Sequence, residues 1–346
     1  MTTAPRRVHN PPNPWASAHV EWLGEPPSVA LEVYEEDAKS IVSRNDSPDV
    51  GFEHGVNPYR GCQHACAYCY ARPTHQYLDL GAGTDFETKV VVKRNAPELL
   101  ARELASPRWR KGRAPLAFSG VTDCYQPLEA SYELTRRCLE ICHEFRHPIV
   151  VITKGALVRR DLQLLVKMSR HGGARVSLSI PFASDEDARR IEPFASAAST
   201  RFETLRRLSE AGVPVGVAIA PLIPGLNDWQ VPEILERARA AGATSAFLVL
   251  LRLPAEVRPV FEERLRASYP DRAEKVLREM RGGALYRSGF GERMRGEGPR
   301  WEALLQLFRI QCRRLGLSHG SDSGAADPEP PAARQLDLFG HAGRRP

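Results

Sequence analysis

Residues 57–72 read NPYRGCQHACAYCYAR, and this stretch holds three of the chain's seven cysteines within eight residues. Cys62, Cys66 and Cys69 follow a C-x3-C-x2-C spacing, so one short loop offers three thiolates to an iron–sulfur cluster. The number of cysteines is odd, and no apolar leader follows Met1. Both observations argue against a disulfide framework and for metal or redox chemistry. Because a cluster usually takes four cysteines, three would leave one iron open to a small ligand.

Apolar, β-rich runs alternate with helical patterns on both sides of this stretch. Near-continuous apolar strands are typical of a sheet that is covered by helices, and their alternation with helices implies parallel strands with right-handed crossovers. Six such units predict an α/β fold, a partial (β/α)6 TIM-like barrel, in which chemistry sits at the carboxyl ends of the strands. Residues 86–93 indicate an extra strand. The predicted strands of the barrel are 53–58, 116–119, 149–153, 175–180, 214–220 and 245–251, and the predicted helices are 97–105, 130–145, 158–171, 200–211 and 230–241.

The composition changes along the chain and divides it into four predicted parts. Residues 1–50 are Pro-rich and predict an extended arm with little structure of its own. Residues 51–255 form the barrel, and residues 256–318 form a helical C-terminal extension. Residues 319–346 begin with a small, polar, Pro-rich linker that buries too little apolar surface to fold, so they predict a disordered tail.

The net charge of +6 conceals an uneven distribution. Residues 51–318 contain 41 basic and 30 acidic side chains, a net charge of +11, whereas both ends are acidic. A basic body favours a polyanionic partner such as DNA. The alternative is a compositional bias, since 41 of the 48 basic residues are Arg.

Two other interpretations of the three cysteines compete with the cluster. A zinc site could use His64 or a distant cysteine as its fourth ligand, but no second cysteine or histidine doublet of the usual kind follows. Cys138 and Cys142 instead share the inner stripe of a predicted helix. The three thiols could also be buried packing residues, as the other four cysteines are expected to be.

The C-x3-C-x2-C spacing with Tyr68 before the third cysteine, next to the first strand of a barrel, resembles the radical S-adenosylmethionine (SAM) superfamily. The resemblance covers residues 50–255. It implies a [4Fe–4S] cluster on Cys62, Cys66 and Cys69, whose open iron chelates SAM. It also implies one-electron reduction by a flavodoxin- or ferredoxin-type donor, which cleaves SAM to a 5′-deoxyadenosyl radical that abstracts hydrogen from the substrate.

Four stretches carry a narrower resemblance, to the spore photoproduct lyase-like, or DNA repair photolyase-like, branch. They are residues 57–72, 119–140 (SGVTDCYQPLEASYELTRRCLE), 151–155 (VITKG) and 220–228 (APLIPGLND).

By this resemblance Tyr68 and Tyr70 wall the cluster and the adenine, and Lys154 pairs with the methionyl carboxylate as a point charge. The alternative for all these polar residues is ordinary hydrogen bonding at strand ends. The remaining implied cofactor contacts are Thr122, Asp123, Ser177 and Ser179.

One departure from the branch concerns the hydrogen donor. The family places a donor cysteine just before a Thr-Ser-Asp run, where this chain has Val121 before Thr122 and Asp123. Cys124 with Tyr125 could relay a hydrogen atom from the displaced position, and a structural role is the alternative. Because of this departure, the resemblance does not establish a thymine dimer as the substrate.

The tail ends in an apolar pentapeptide, Gln335-Leu336-Asp337-Leu338-Phe339. A short apolar cluster on a Pro-rich tether is typical of a linear docking motif. It resembles the peptide by which bacterial repair and replication proteins bind the β sliding clamp. In that case Gln335 docks in one subsite of the clamp, Leu336 follows it in the motif, and Leu338 and Phe339 fill the hydrophobic pocket.

Three functional hypotheses follow. The first is a radical SAM enzyme of lyase type that acts on damaged DNA. The second is the same chemistry on RNA, a peptide or a small molecule. The third is a non-catalytic iron–sulfur or zinc module that docks on the replication machinery. The apolar runs are too short to span a bilayer, so we expect a cytoplasmic protein without a membrane partner.

Overall fold

The structure, a computed structural model, describes residues 30–47, 51–111, 114–282 and 298–319. Apolar runs become the inner strands in this part of the chain because they can be buried from both sides, whereas the strands at 32–36 and 42–44 are mostly exposed. The strands are β1 Glu32–Glu36, β2 Val42–Arg44, β3 His54–Val56, β4 Tyr59–Arg60, β5 Lys89–Lys93, β6 Leu116–Phe118, β7 Ile149–Thr153, β8 Ala174–Ser179, β9 Val215–Leu222, β10 Ser245–Leu250 and β11 Ser318–His319.

Helices follow most of the strands and cover the outside of the sheet. Three short 3-10 helices, Arg72–Leu78, Ala156–Asp161 and Asp228–Gln230, occur in loops. The α-helices are α1 Thr84–Thr88, α2 Ala96–Ala105, α3 Pro107–Lys111, α4 Glu129–Tyr132, α5 Leu134–Glu144, α6 Leu162–Ser169, α7 Asp185–Ile191, α8 Ala198–Glu210, α9 Val231–Ala240, α10 Val257–Ser268, α11 Ala273–Gly282 and α12 Pro299–Leu315. None of these helices is long and apolar enough to cross a membrane.

The larger sheet confirms the predicted partial barrel. Its strand order is β11-β10-β9-β8-β7-β6-β3-β2, and the six strands from β3 to β10 in this order are parallel to their neighbours. β2 is antiparallel to β3 at one edge, and β11 is parallel to β10 at the other. All six parallel strands therefore end on one side of the sheet, which we call the carboxyl edge.

The main hydrophobic core lies between this sheet and its helices. Fully buried side chains on neighbouring strands, such as Val151, Leu178 and Val217, pack with the inner stripes of the helices. Cys138 and Cys142 belong to this core, as the helical spacing predicts. The core makes the carboxyl edge a rigid platform for the loops above it.

The structure modifies two predictions near the chain's N-terminal half. Within the predicted arm, β1 is extended but pairs in parallel with β5, so these residues are attached to the body. The predicted strand at 86–93 begins only at Lys89, because the residues before it form α1. β1, β5 and β4 make a separate three-stranded sheet beside the barrel.

The predicted helix at 130–145 is two helices, which is a correction. Glu133 adopts a left-handed conformation with φ of 50° and separates α4 from α5. The carboxylate of Glu129 folds back and accepts the N–H groups of Thr135 (2.9 Å) and Arg136 (3.2 Å). A carboxylate on the first free N–H groups of a helix stabilises a helix start at this point. The predicted helix at 158–171 similarly begins as a 3-10 turn and becomes α-helical only at Leu162.

Candidate active site

The three cysteines lie on the loop of residues 61–71, here called the cysteine loop, which follows β4. Gly61 begins it with φ of 82°, and a Cβ there would lie 2.9 Å from the His75 ring and from the Phe86 carbonyl oxygen. Only glycine fits such a left-handed, crowded position without strain. Cys62 then donates its N–H to the Phe86 carbonyl at 2.9 Å, which fixes the start of the loop.

The thiols are set in apolar surroundings. Cys62 and Cys66 are buried, and Cys69 is half-buried. Burial raises the pKa of Cys62 well above its ordinary value and the pKa of Cys66 to about 12. A metal-bound cysteine is a thiolate, and burial disfavours this charged form. A cationic metal would have to offset the free-energy cost of burying the thiolates. Three soft sulfur donors in such surroundings fit an iron–sulfur cluster.

No group of three or more His, Cys, Asp or Glu side chains in the described ranges is arranged to hold one ion. The zinc alternative therefore gains no support from the structure.

Arg72 holds the middle of the cysteine loop. Its buried guanidinium donates twice to the Cys66 carbonyl, at 3.0 and 3.1 Å, and to the carbonyls of Ala82 and Gly83. It also forms an ion pair with buried Glu87 at 2.7 Å. The rigid fork of Arg suits this role because it satisfies several acceptors from one fixed position.

Two glutamines attach the cysteine loop to the segment after β6. Gln126 accepts the N–H of Gln63 at 3.0 Å and donates to the Gly61 carbonyl at 3.1 Å. In return, the Gln63 side chain accepts the N–H of Leu128 at 2.7 Å. These reciprocal bonds tie the loop to the carboxyl edge of the barrel.

Asp123 joins three parts of the site. One carboxylate oxygen lies 3.3 Å from Nδ1 of His64 and accepts the Lys154 N–H at 2.8 Å. The other accepts the Thr153 hydroxyl at 2.6 Å and the Tyr125 N–H at 2.9 Å. Burial alone would raise the pKa of Asp123, but these donors together hold it below its ordinary value. The carboxylate therefore stays charged and connects the cysteine loop with the ends of β6 and β7.

Lys154, directly after β7, faces the cysteine loop. Its ammonium lies 5.6 Å from the centroid of the Tyr68 ring, within the range of a cation–π contact. Burial tends to lower the pKa of Lys154, but Cys66 and Glu192 outweigh it and raise the pKa. A charged lysine is thus held over the Tyr68 ring of the cysteine loop.

The other predicted cofactor contacts lie around the same edge with different exposure. Thr122 is buried and donates its hydroxyl to the Tyr59 carbonyl at 3.0 Å. Ser179 donates to the Ala220 carbonyl at 3.0 Å, and Ser177 is buried on the same face of β8. Tyr70 is open, with 55% of its surface exposed, and donates to the Gly120 carbonyl.

The structure places Cys124 and Tyr125 differently from these residues. Cys124 is fully buried in the main core, and Tyr125 donates its hydroxyl to buried Asp161 at 3.0 Å. A Cβ at Gly155 would lie 2.3 Å from the Tyr125 carbonyl oxygen, so the segment after β7 approaches this backbone closely. Val121, by contrast, packs against the small apolar cluster of Cys62, Ala71 and Phe86. The geometry favours a packing role for Cys124 and Tyr125, and the hydrogen relay stays a prediction.

Sequence reasoning missed several residues that organise the site. Arg72, Gln63 and His64 stood in the quoted cysteine stretch, but nothing in the spacing revealed their partners. Arg201 carried a signal, because it lies at helical spacing from buried Leu205 and Leu208 on α8. The missed residues that hold the cysteine loop are Gln63, Arg72, Gln126, Glu192 and Arg201. His64, which the sequence suggested only as a zinc ligand, instead lies against Asp123.

Comparison with known proteins agrees with this geometry. The model of the radical SAM superfamily matches residues 56–238. The chain belongs to this superfamily. Membership implies a [4Fe–4S] cluster and SAM as cofactors, and the cysteine loop lies within the matched residues.

Relatives of this radical SAM protein occur in bacteria and archaea. An uncharacterized protein of Mycobacterium tuberculosis is 33% identical over 284 residues, which cover 82% of this chain and 79% of the relative. An uncharacterized protein of Methanocaldococcus jannaschii is 33% identical over 198 residues, which cover 57% of this chain and 70% of the relative.

The barrel of this radical SAM protein is also similar to solved structures. A spore photoproduct lyase complexed with dinucleoside spore photoproduct superposes with a TM-score of 0.63 at 17% identity. The match covers 83% of this chain and 81% of the lyase. At this identity the similarity shows a shared fold.

The Arg72–Glu87 pair gives a test of how the loop is held. Arg72→Met should lower the free energy of unfolding by about 3–5 kcal/mol, because it leaves the Glu87 carboxylate buried without its cation. The double variant Arg72→Met/Glu87→Leu should recover part of this loss, since no buried charge then remains. Urea denaturation of both variants measures the effect. A loss of less than about 0.5 kcal/mol, typical of a surface change, would refute the described role of the pair.

Proposed function

We propose that Cys62, Cys66 and Cys69 hold the [4Fe–4S] cluster of this radical SAM enzyme and leave one iron for SAM. The observation that carries the proposal is the Asp123 carboxylate, which brings the cysteine loop and Lys154 to one point on the carboxyl edge. When bound and reduced, these cofactors supply a 5′-deoxyadenosyl radical that abstracts hydrogen from the substrate. A flavodoxin- or ferredoxin-type protein supplies the electron.

The residues around the cysteine loop bind and orient SAM. Lys154 pairs with the methionyl carboxylate, and the partly open Tyr70 and the buried Tyr68 wall the cofactor. Ser177 would face the ribose from β8, and Ser179, whose hydroxyl already donates to the Ala220 carbonyl, would support it from the same face. Thr122 and Asp123 act through the protein, because the hydroxyl of Thr122 and both oxygens of Asp123 already bind protein groups.

The proposed substrate is damaged DNA, on which the enzyme acts as a lyase. Two observations support this substrate class: residues 51–318 carry a net charge of +11, and a spore photoproduct lyase with the same fold binds a dinucleoside photoproduct. Lys and Arg bind phosphates with release of counterions. A barrel that encloses its chemistry requires the damaged base to leave the helical stack.

Replacement of the proposed ligands tests the cluster assignment. Cys62→Ala, Cys66→Ala and Cys69→Ala should each lose the intact cluster after anaerobic reconstitution, because each removes one of three thiolates. Iron and sulfide analysis measures the result. Cys138→Ala, a buried cysteine on α5, is the matched control and should keep the cluster. A full cluster in any of the three variants would disprove that residue's role.

The substrate class is tested with the reduced, reconstituted enzyme. UV-irradiated duplex DNA should stimulate formation of 5′-deoxyadenosine and yield repaired bases, whereas undamaged DNA should not. Deuterium at the damaged base should appear in 5′-deoxyadenosine. Transfer of label from RNA, with none from irradiated DNA, would instead assign RNA as the substrate.

The C-terminal pentapeptide, Gln335 to Phe339, lies outside the described residues, and we propose it as a docking motif for the bacterial β sliding clamp. Exchange of Leu338 and Phe339 for Ala should abolish clamp binding in surface plasmon resonance, because the two side chains supply the apolar contact. Reductive cleavage of SAM should stay unchanged, since the motif is distant in sequence from the cysteine loop. Unaltered clamp affinity would exclude the motif.

A further inference from the structure

A buried chain of contacts connects Tyr68 of the cysteine loop with the end of β8. The hydroxyl of Tyr68 donates to one carboxylate oxygen of Glu192, and Arg201 donates to the other at 2.5 Å. Arg201 also donates to the Ser179 carbonyl at 2.9 Å and to the Ser196 carbonyl at 2.6 Å. Tyr68, Glu192 and Arg201 are each at most 7% exposed.

The backbone beside Glu192 is attached to the same loop. Ala67 donates its N–H to the Ile191 carbonyl at 3.0 Å, and Phe194 donates to the His64 carbonyl at 3.4 Å. These two bonds flank Glu192 and set the register between its segment and the cysteine loop. The Tyr68 hydroxyl therefore has a fixed acceptor at a defined place.

Two cations, Arg201 and Lys154, and one anion, Glu192, lie along these buried contacts. Glu192 accepts from the buried guanidinium of Arg201 and from the hydroxyl of Tyr68, whose ring the Lys154 ammonium faces. Because a buried guanidinium needs a paired anion, Glu192 neutralises Arg201. Glu192 also favours the charged form of Lys154, whose ammonium lies over the Tyr68 ring.

We propose that Glu192 is a positioning residue, which fixes the Tyr68 ring and so sets the place of the Lys154 ammonium for the anionic end of SAM. This inference rests on the proposed cofactor pocket and not on the proposed substrate. Glu192 touches neither cofactor. It acts through the Tyr68 hydroxyl, and the loop backbone keeps its own hydrogen bonds to Arg72 and Ile191 without it.

Two variants break this series of buried contacts at different points. Glu192→Gln keeps the size of the side chain and removes its charge, whereas Tyr68→Phe removes only the hydroxyl. Both should keep full iron and sulfide content per folded protein, because neither alters a thiol or the Arg72 contacts, although Glu192→Gln leaves Arg201 without its anion and should lower the free energy of unfolding. Both should weaken SAM binding about tenfold, the lower range for loss of a residue that orients a ligand group. Glu186→Gln, an exposed glutamate on α7, is the matched control and should bind SAM like wild type.

The measurement is equilibrium dialysis of SAM against the oxidised, cluster-loaded protein without DNA, with the electron paramagnetic resonance spectrum of the reduced cluster as a second readout. SAM should perturb that spectrum less in both variants than in wild type. Wild-type SAM affinity in Glu192→Gln overturns the proposal. If this variant does not fold, unchanged affinity or loss of the cluster in Tyr68→Phe overturns it. Failure of wild type to bind SAM would instead refute the cofactor pocket itself.

Discussion

The Asp123 carboxylate is the contact on which the site depends. It receives the His64 ring from the cysteine loop, the Thr153 hydroxyl from the end of β7, and the N–H of Lys154. These groups come from two separate stretches of the chain, and the Asp123 anion, from a third, holds them together. Because donors surround both oxygens, the carboxylate remains charged although it is largely buried. The position of the cysteine loop over the barrel follows from this arrangement.

The rest of the loop is held by the same physical means. Arg72 with Glu87, and Arg201 with Glu192, are buried ion pairs whose remaining donors bind backbone carbonyls. Such pairs contribute little net stability compared with apolar residues of the same size. Their directional bonds fix a loop of irregular backbone, which an apolar core alone would leave less defined. We infer that these buried ion pairs serve to orient the thiols and Lys154 rather than to add stability.

The fold could be predicted from the sequence because the signals are local. Apolar runs such as 149–153 predict buried parallel strands, and the helices between them predict right-handed crossover connections. The division at Glu133 could not be predicted, since it depends on a side chain that folds back to cap α5. The attachment of β1 to β5 likewise depends on pairing between distant residues.

The candidate site was predicted in part for the same reason. Thiols, Lys154 and the polar residues at strand ends follow from motif and position, whereas their supporting partners are remote in sequence. Glu192, for example, lies 124 residues from Tyr68, whose hydroxyl it accepts. No spacing rule connects two such residues before the chain is folded.

The central claim is that three cysteines of one loop hold a cluster with one iron free for SAM. Mössbauer spectroscopy of the protein reconstituted with iron-57 tests it most directly. Addition of SAM should change the signal of one iron site and leave those bound by Cys62, Cys66 and Cys69 unchanged. A spectrum in which no iron responds to SAM would contradict the account.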